Sequence, residues 1–358
     1  MIYKNLGNTD TKIAAIGMGT WGYGGHHKQE FTVDEGMYYD LLQRGVELGM
    51  TLIDTSENYG GGLTEKIVGR AIRDIRDKVF IATKATPNHL DCDRLRRSVD
   101  KSLKRLRIDA IDLYQIHWPN PDIDIRETIE TLKCLQLQGK IKHIGISNYY
   151  DINDLKILEG CHYVSHQLEY NLIDRYIEEK IIPFYKYNNY KKTIMAYEPF
   201  KNGNVEFDTD KYLLLKKLSD KYDKTVHQII LNWIISKDDV IVVPKTVNLN
   251  HIEENAAAAD FTLEPFDIIK INNTFITNYV FIELDQIRCE KEINDNFVPN
   301  SASLGKFLDD GGEIKPIKVY MHDDGYYRIS EGACRYAAYL KSKRSKDRIQ
   351  VILYKKGE

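Results

Sequence analysis

The chain has 358 residues, with 50 Lys and Arg against 53 Asp and Glu, a net charge of −3 and 42% hydrophobic residues. That composition supports a full core and excludes wholesale disorder. The even charge argues against a polybasic nucleic-acid or membrane binder. Five scattered cysteines with no C-x-x-C pair read as thiols of a reducing compartment, and no apolar run reaches the ~18 residues of a membrane span, so a cytoplasmic protein is expected.

In chain order, Tyr3–Leu6 and Thr11–Ala14 flank a Gly7-Asn8 turn signal and predict a β-hairpin. Short apolar runs then alternate with helical patterns. The runs are Ala14–Ile16, Thr51–Ile53, Val79–Ala82, Ile111–Ile116, His143–Ile146, Val164–Leu168, Thr193–Ala196 and Val240–Val243. Helical stretches such as Val33–Leu48, Cys92–Leu106, Ile125–Gln138 and Val226–Ile235 lie between them, and Pro265–Asn273 follows. Eight such units predict an α/β fold, a (β/α)₈ TIM barrel over residues 1–275. The competing doubly wound sheet lacks its Gly-rich phosphate turn, because Gly17–Gly25 does not open a helix as G-x-G-x-x-G. From about residue 276 the rhythm breaks. Val280–Leu284, Ile317–Met321, Tyr326–Ile329 and Ile349–Tyr354 read as strands and Gly332–Lys341 as a helix, a small α+β domain over 276–358.

Barrel chemistry sits at the C-terminal strand ends. Those positions carry Trp21, Asp54, Lys84, His117, Ser147 with Asn148, Gln167, Tyr197, and Lys245 with Thr246, while Tyr59 follows Asp54 on the loop. A tyrosine is a weak acid near neutral pH unless its phenolate is stabilised. The Lys84 ammonium is expected to lower the Tyr59 pKa, Asp54 to balance the lysine, and His117 to orient a carbonyl oxygen. No set of side chains has metal-ligand spacing, since His26 and His27 are adjacent and lack a partner. Protonating a carbonyl oxygen requires an electron source that the side chains do not supply, so a hydride cofactor is implied.

Residues 1–275 resemble the aldo-keto reductases. The resemblance is carried by Gly17-Met-Gly-Thr-Trp21, Leu52-Ile-Asp-Thr-Ser-Glu-Asn-Tyr-Gly60, Ile81-Ala-Thr-Lys84, Asp112-Leu-Tyr-Gln-Ile-His117, Ile144-Gly-Ile-Ser-Asn148 and Val243-Pro-Lys-Thr246 running on to Glu254-Asn255. It implies reduction of an aldehyde or ketone to an alcohol by NADPH, with NADH as the lesser option. Asp54, Tyr59, Lys84 and His117 fall on that family's catalytic tetrad, with Tyr59 as general acid. Ser147, Asn148 and Gln167 match the positions that grip the carboxamide, and Tyr197 matches the ring that stacks on the nicotinamide. Gly19, Thr20 and Trp21 fall on the cofactor side of the first strand end. Lys245, Thr246, Glu254 and Asn255 match the adenosine-phosphate end, and His251 stands at a further position of that end. Trp21, Tyr23 and Trp118 are candidates for lining the substrate pocket. Two departures stand out: His251 replaces a usual arginine, and Glu198 replaces a small hydroxyl residue on the pyrophosphate side.

The tail resembles the nucleotide-binding fold shared by the ParB N-terminal domain and sulfiredoxin. Glu331, Gly332, Ala333 and Arg335 are the expected contacts for ATP or another nucleotide, at a helix start with free N–H groups. Cys334 stands where the ParB pattern has an arginine, and it lies one position beyond the sulfiredoxin cysteine, so thiol repair is not expected. A short basic run from Lys341 to Arg348 is followed by no helix-turn-helix, and nucleic-acid binding is not expected. The alternatives are a bifunctional reductase and phosphotransferase, or an NADPH-binding redox sensor with little turnover. The carbonyl partner is a small molecule; the oligomeric state is not legible.

Overall fold

The computed structural model describes residues 1–26, 28, 34–201, 209–276, 279–289, 301–344 and 348–354. His27, Val33 and part of the basic run between Lys341 and Arg348 lie outside them. Strands β1 (Tyr3–Asn5) and β2 (Lys12–Ala14) form the antiparallel hairpin, with Tyr3 opposite Ala14. Gly7 turns it at φ 56°, where a Cβ would meet the Val164 carbonyl at 2.5 Å. The hairpin plugs the lower end of the barrel, its Leu6 and Ile13 packing with Leu52, Leu113, Met195 and Ile241.

Eight parallel strands follow: β3 (Met18–Gly19), β4 (Leu52–Asp54), β5 (Phe80–Ala85), β6 (Ile111–Ile116), β7 (Ile141–Ser147), β8 (Tyr163–Glu169), β9 (Thr193–Tyr197) and β10 (Val240–Val242). They pair in chain order. Parallel bridges Ile16–Val242 and Gly19–Lys245 join the first strand to the last, so the sheet curls round on itself. The first barrel strand was expected at Ala14–Ile16. Part of it is there, since Ile16 bridges Val242 on the last strand, but Ala14 pairs in the hairpin and the contact with β4 is made by Met18–Gly19. The apolar run from Ile13 to Met18 serves both plug and barrel, and periodicity cannot mark the hand-over.

The strands are connected by α1 (Glu35–Glu47), α2 (Leu63–Ala71), α3 (Cys92–Leu106), α4 (Ile125–Leu137), α5 (Ile152–Ile157), α6 (Ile181–Tyr187), α7 (Thr209–Tyr222), α8 (Val226–Ile235), α9 (Leu249–Ala257) and α10 (Pro265–Thr274). Local chemistry sets their starts. Asp34, Asp91, Asp124 and Asp151 each accept a backbone N–H at an N-cap, and Thr225 with Gln228 forms a capping box.

Beyond α10 a second sheet takes the order β11–β15–β13–β14–β12, from β11 (Tyr279–Glu283), β12 (Ile287–Arg288), β13 (Ile317–Met321), β14 (Tyr327–Glu331) and β15 (Arg348–Tyr354). With α11 (Ser301–Asp309) and α12 (Ala333–Lys341) it encloses its own apolar cluster around Ile287, Leu308, Val319 and Val351. Neither β12 nor α11 is legible in the sequence; β12 is only two residues long. This unit sits on the strand-end face of the barrel. Ser303 donates to Asp122 at 2.8 Å, and the Glu313 N–H donates to Asp151 at 2.7 Å. Among the described residues, no helix is long and apolar enough to cross a membrane.

Candidate active site

Alternation along each strand sends every second residue into the barrel. On β4, β5, β6 and β8 that rule delivers Asp54, Lys84, Gln115 and Gln167 to one buried layer. Lys84 has no exposed surface. Its Nζ donates to Asp54 Oδ2 at 2.7 Å, to the Thr55 carbonyl at 2.9 Å and to the Tyr59 hydroxyl at 3.4 Å. The other Asp54 oxygen accepts from Gln167 Nε2 at 2.8 Å and from Gln115 Nε2 at 3.4 Å. A buried ion pair is sound only when its remaining hydrogen-bonding capacity is met, and here the two amides meet it.

Tyr59 is aimed by a tight glycine turn. Gly60 and Gly61 adopt φ of 55° and 58°, and a Cβ on Gly60 would meet the Gly24 carbonyl at 2.6 Å. The phenol ring lies edge-on to Trp21, centroids 4.8 Å apart, and to His117 at 5.8 Å. His117 Nδ1 contacts Ser56 Oγ at 3.2 Å. The structure therefore gathers Asp54, Tyr59, Lys84 and His117 around one point at the barrel mouth. Lys84 acts on Tyr59 in the expected direction but is outweighed. Burial raises the Tyr59 pKa, and although Lys84 pulls it down, Asp54 and Glu198 push the same way as burial, so the net direction is upward. Burial also disfavours the Lys84 ammonium, but Asp54 and Tyr59 outweigh it and hold that pKa above the ordinary lysine value.

Beside this cluster, Asn148 takes φ 65° and donates to Ser147 Oγ and to the His117 carbonyl, both at 3.0 Å. Its Oδ1 accepts from the Tyr197 hydroxyl at 2.8 Å, which fixes that ring. Thr20 is buried and donates to the Asp54 carbonyl at 2.9 Å, tying adjacent strand ends together. Gly19 is buried in the same seam, where a Cβ would meet the Val243 carbonyl at 2.8 Å. Trp21 and Trp118 are exposed at the mouth. Tyr23 is not: it is buried, stacks on Tyr38 at 4.1 Å and donates to the Thr246 carbonyl at 2.7 Å. Its expected place in the substrate pocket is therefore corrected to a rim plug, because both its face and its hydroxyl are already engaged.

At the last strand end, Thr246 Oγ1 accepts the Asn248 N–H at 3.0 Å and lies 3.4 Å from His251 Nδ1. Lys245 and His251 are both exposed there, and Asn248 caps α9. Asn255 is buried in α9. Glu254 faces α8, accepting from the Thr225 hydroxyl 4.0 Å from His227 Nδ1. Sequence reasoning passed over Gln115, although it lies two residues before His117 and in register with Lys84.

The expected second nucleotide site is corrected. Arg335 donates to the carbonyls of Lys315 at 3.1 Å and Pro316 at 2.7 Å, and to Glu331 Oε1 at 2.8 Å. Glu331 Oε2 pairs with Lys318 at 2.6 Å. Gly332 takes φ 102°, and the guanidinium folds back over it, within 3.0 Å of where a Cβ would stand. The cation meant for a phosphate is already paired, and it folds over the turn at Gly332, beside Ala333 at the start of α12. Among the described residues no group of three His, Cys, Asp or Glu is placed to hold a metal ion.

Residues 15–274 match the Aldo/keto reductase family, and the chain belongs to that family of oxidoreductases. Among relatives, a methylglyoxal reductase of Escherichia coli, YeaE, is 31% identical over 270 residues, 74% of this chain and 92% of that protein. Two solved structures are similar. A thermostable aldo-keto reductase, Tm1743, bound to epalrestat, has a TM-score of 0.72 and 34% identity over 76% of this chain and 99% of its own. An aldo/keto reductase from Klebsiella pneumoniae, bound to NADP and acetate, has a TM-score of 0.70 and 31% identity over 76% and 95%.

Proposed function

We propose that this chain reduces a small aldehyde or ketone to the alcohol with NADPH, and that Tyr59 is the proton donor. The observation that carries this is the hydrogen-bonded run Asp54–Lys84–Tyr59, buried and opening at the mouth beside His117. The residues present fit a nicotinamide dinucleotide phosphate. Amide side chains and a fixed aromatic ring stand at the ends of β7, β8 and β9, and an ammonium, a hydroxyl and an imidazole lie together near the start of α9. Ser147, Asn148, Gln167 and Tyr197 would hold the nicotinamide, and Lys245, Thr246 and His251 the 2′-phosphate. When bound, the cofactor supplies the hydride that reaches the carbonyl carbon. Tyr59 gives its hydroxyl proton to the carbonyl oxygen, which His117 orients. A tyrosine is protonated near neutral pH, as an acid must be before the transfer. Lys84 then faces the new phenolate and stabilises it, with its own charge balanced by Asp54. Burial of the cluster excludes water, which strengthens each of these interactions.

Tyr59→Phe tests this reading. The ring stays and the proton is lost, so turnover of benzaldehyde should fall by about 10²–10⁴-fold while NADPH affinity stays within twofold. A loss below tenfold shows that another group is the acid. Absence of turnover in the unaltered protein, with NADPH bound, would instead favour the sensor reading.

A further inference from the structure

We propose that Lys315 and Lys318, carried by the C-terminal unit, are positioning residues for the nicotinamide end of the barrel site; this rests on the reading just given. Lys318 is fully buried and Lys315 nearly so. Lys315 Nζ pairs with Glu169 Oε2 at 2.5 Å and Asp174 Oδ2 at 2.7 Å. Lys318 Nζ donates to the other Glu169 oxygen and forms ion pairs with Asp174 Oδ2 at 2.9 Å and Glu331 Oε2 at 2.6 Å. Both oxygens of Glu169 are thus held by the appended sheet.

Three contacts carry that grip into the site. Glu169 ends β8 two residues beyond Gln167, so the two share a face, and it stands in register with Tyr197 on β9. Asp174 closes a turn in which Asn171 Oδ1 accepts its N–H at 2.8 Å, while Asn171 Nδ2 donates at 3.1 Å to the carbonyl of Glu198, the residue after Tyr197. Lys315 Nζ also lies 5.3 Å from the centroid of the Tyr150 ring, two residues beyond Asn148. The two lysines therefore hold the end of β8 and the loop after it, approach the ring just beyond β7, and reach the end of β9 through Asn171. Those are the strand ends that bring Asn148, Gln167 and Tyr197.

Buried charges hold their places only while every partner is present, and removing one costs far more than loosening a surface pair. The cluster accordingly acts as a rigid bracket across three strand ends. Lys245, Thr246 and His251 lie at β10 and α9, outside its contacts. The appended unit should govern how the nicotinamide is held and leave the 2′-phosphate end alone.

The experiment compares full-length protein with Lys318→Met and Lys318→Arg, titrated separately with NADPH and with 2′,5′-ADP, which lacks the nicotinamide. Lys318→Met should weaken NADPH by about tenfold, the scale on which a residue without ligand contact modulates a site, and should lower kcat. The inference expects 2′,5′-ADP to stay within twofold and Lys318→Arg to recover most of the loss. Equal weakening of both ligands, or of neither, overturns it. Should Lys318→Met not fold, Lys315→Gln is judged by the same ratio. Unaltered protein that fails to bind NADPH refutes the reductase reading itself, whereas normal NADPH binding with an unchanged ratio refutes only the positioning role.

Discussion

Replacing Lys84 with methionine removes the ammonium at the centre of the site and keeps most of the side chain's volume. In the native structure its Nζ has three acceptors and no exposure to solvent, so the Asp54 carboxylate would be left buried and unbalanced. Breaking a buried pair by removing one partner costs about 3–5 kcal/mol. The amides of Gln115 and Gln167 still donate to Asp54, which places the expected loss near the lower end, about 3 kcal/mol. Chemistry should suffer separately. Lys84 is the group that opposes the upward push of burial on Tyr59, and without it the phenolate left by proton transfer has no cation beside it. Turnover should fall by about 10²–10⁴-fold. The double variant Asp54→Asn/Lys84→Met removes the orphaned charge, so it should regain most of the stability and none of the activity. Urea unfolding and single-turnover reduction of benzaldehyde at saturating NADPH measure the two effects. Lys84→Met with kcat within tenfold of the unaltered protein would refute the catalytic argument. A double variant as unstable as the single one would refute the ion-pair argument.

Lys245→Ala should weaken NADPH at least tenfold and NADH much less, since a 2′-phosphate contact is worth about 1.5–3 kcal/mol and NADH has none; equal losses in fluorescence titrations would place Lys245 on the shared part of the cofactor. Partial removal from solvent, with the charges of Glu169 and Glu331, raises the Glu198 pKa to about 7, against the pull of Lys318 and Lys315. The folded state therefore holds this proton where the unfolded chain has released it, and stability should fall as pH rises toward about 7. Glu198→Gln should flatten that dependence in thermal melts, and an unchanged slope would assign the titration elsewhere. Arg105→Met strips the fully buried Glu65 of the guanidinium 2.5 Å away and should cost about 3–5 kcal/mol in urea unfolding, whereas a loss below about 1 kcal/mol would show that the hydroxyls of Thr83 and Ser102 satisfy that carboxylate.

Much of this protein follows from spacing alone. Two-residue alternation on short apolar runs, each ending in a polar side chain, is a local property. Strand-end position alone places Asp54, Lys84, His117 and Gln167 at one mouth, and the alternation adds Gln115. The turn around Tyr59 is equally local, because only glycine readily adopts the left-handed backbone found at Gly60 and Gly61. Other features depend on what lies opposite a residue, which no local pattern records. Trp21 and Tyr23 are alike in the sequence, yet one is on the rim and the other is buried with its hydroxyl bound. Lys84 beside Tyr59 supplies the sign of one electrostatic effect; the larger effect, burial, exists only once the barrel closes over the phenol. The strand–glycine–helix junction at Gly332 is plain in the chain. Its arginine, however, meets Glu331 and two carbonyls because β13 passes behind it, and its charged neighbours meet Glu169 because the second sheet sits on the barrel mouth. Local periodicity determined the elements and the site's chemical groups. Burial and the partners of each charge were decided by tertiary packing, since desolvation and ion pairing depend on distances between residues far apart in the chain.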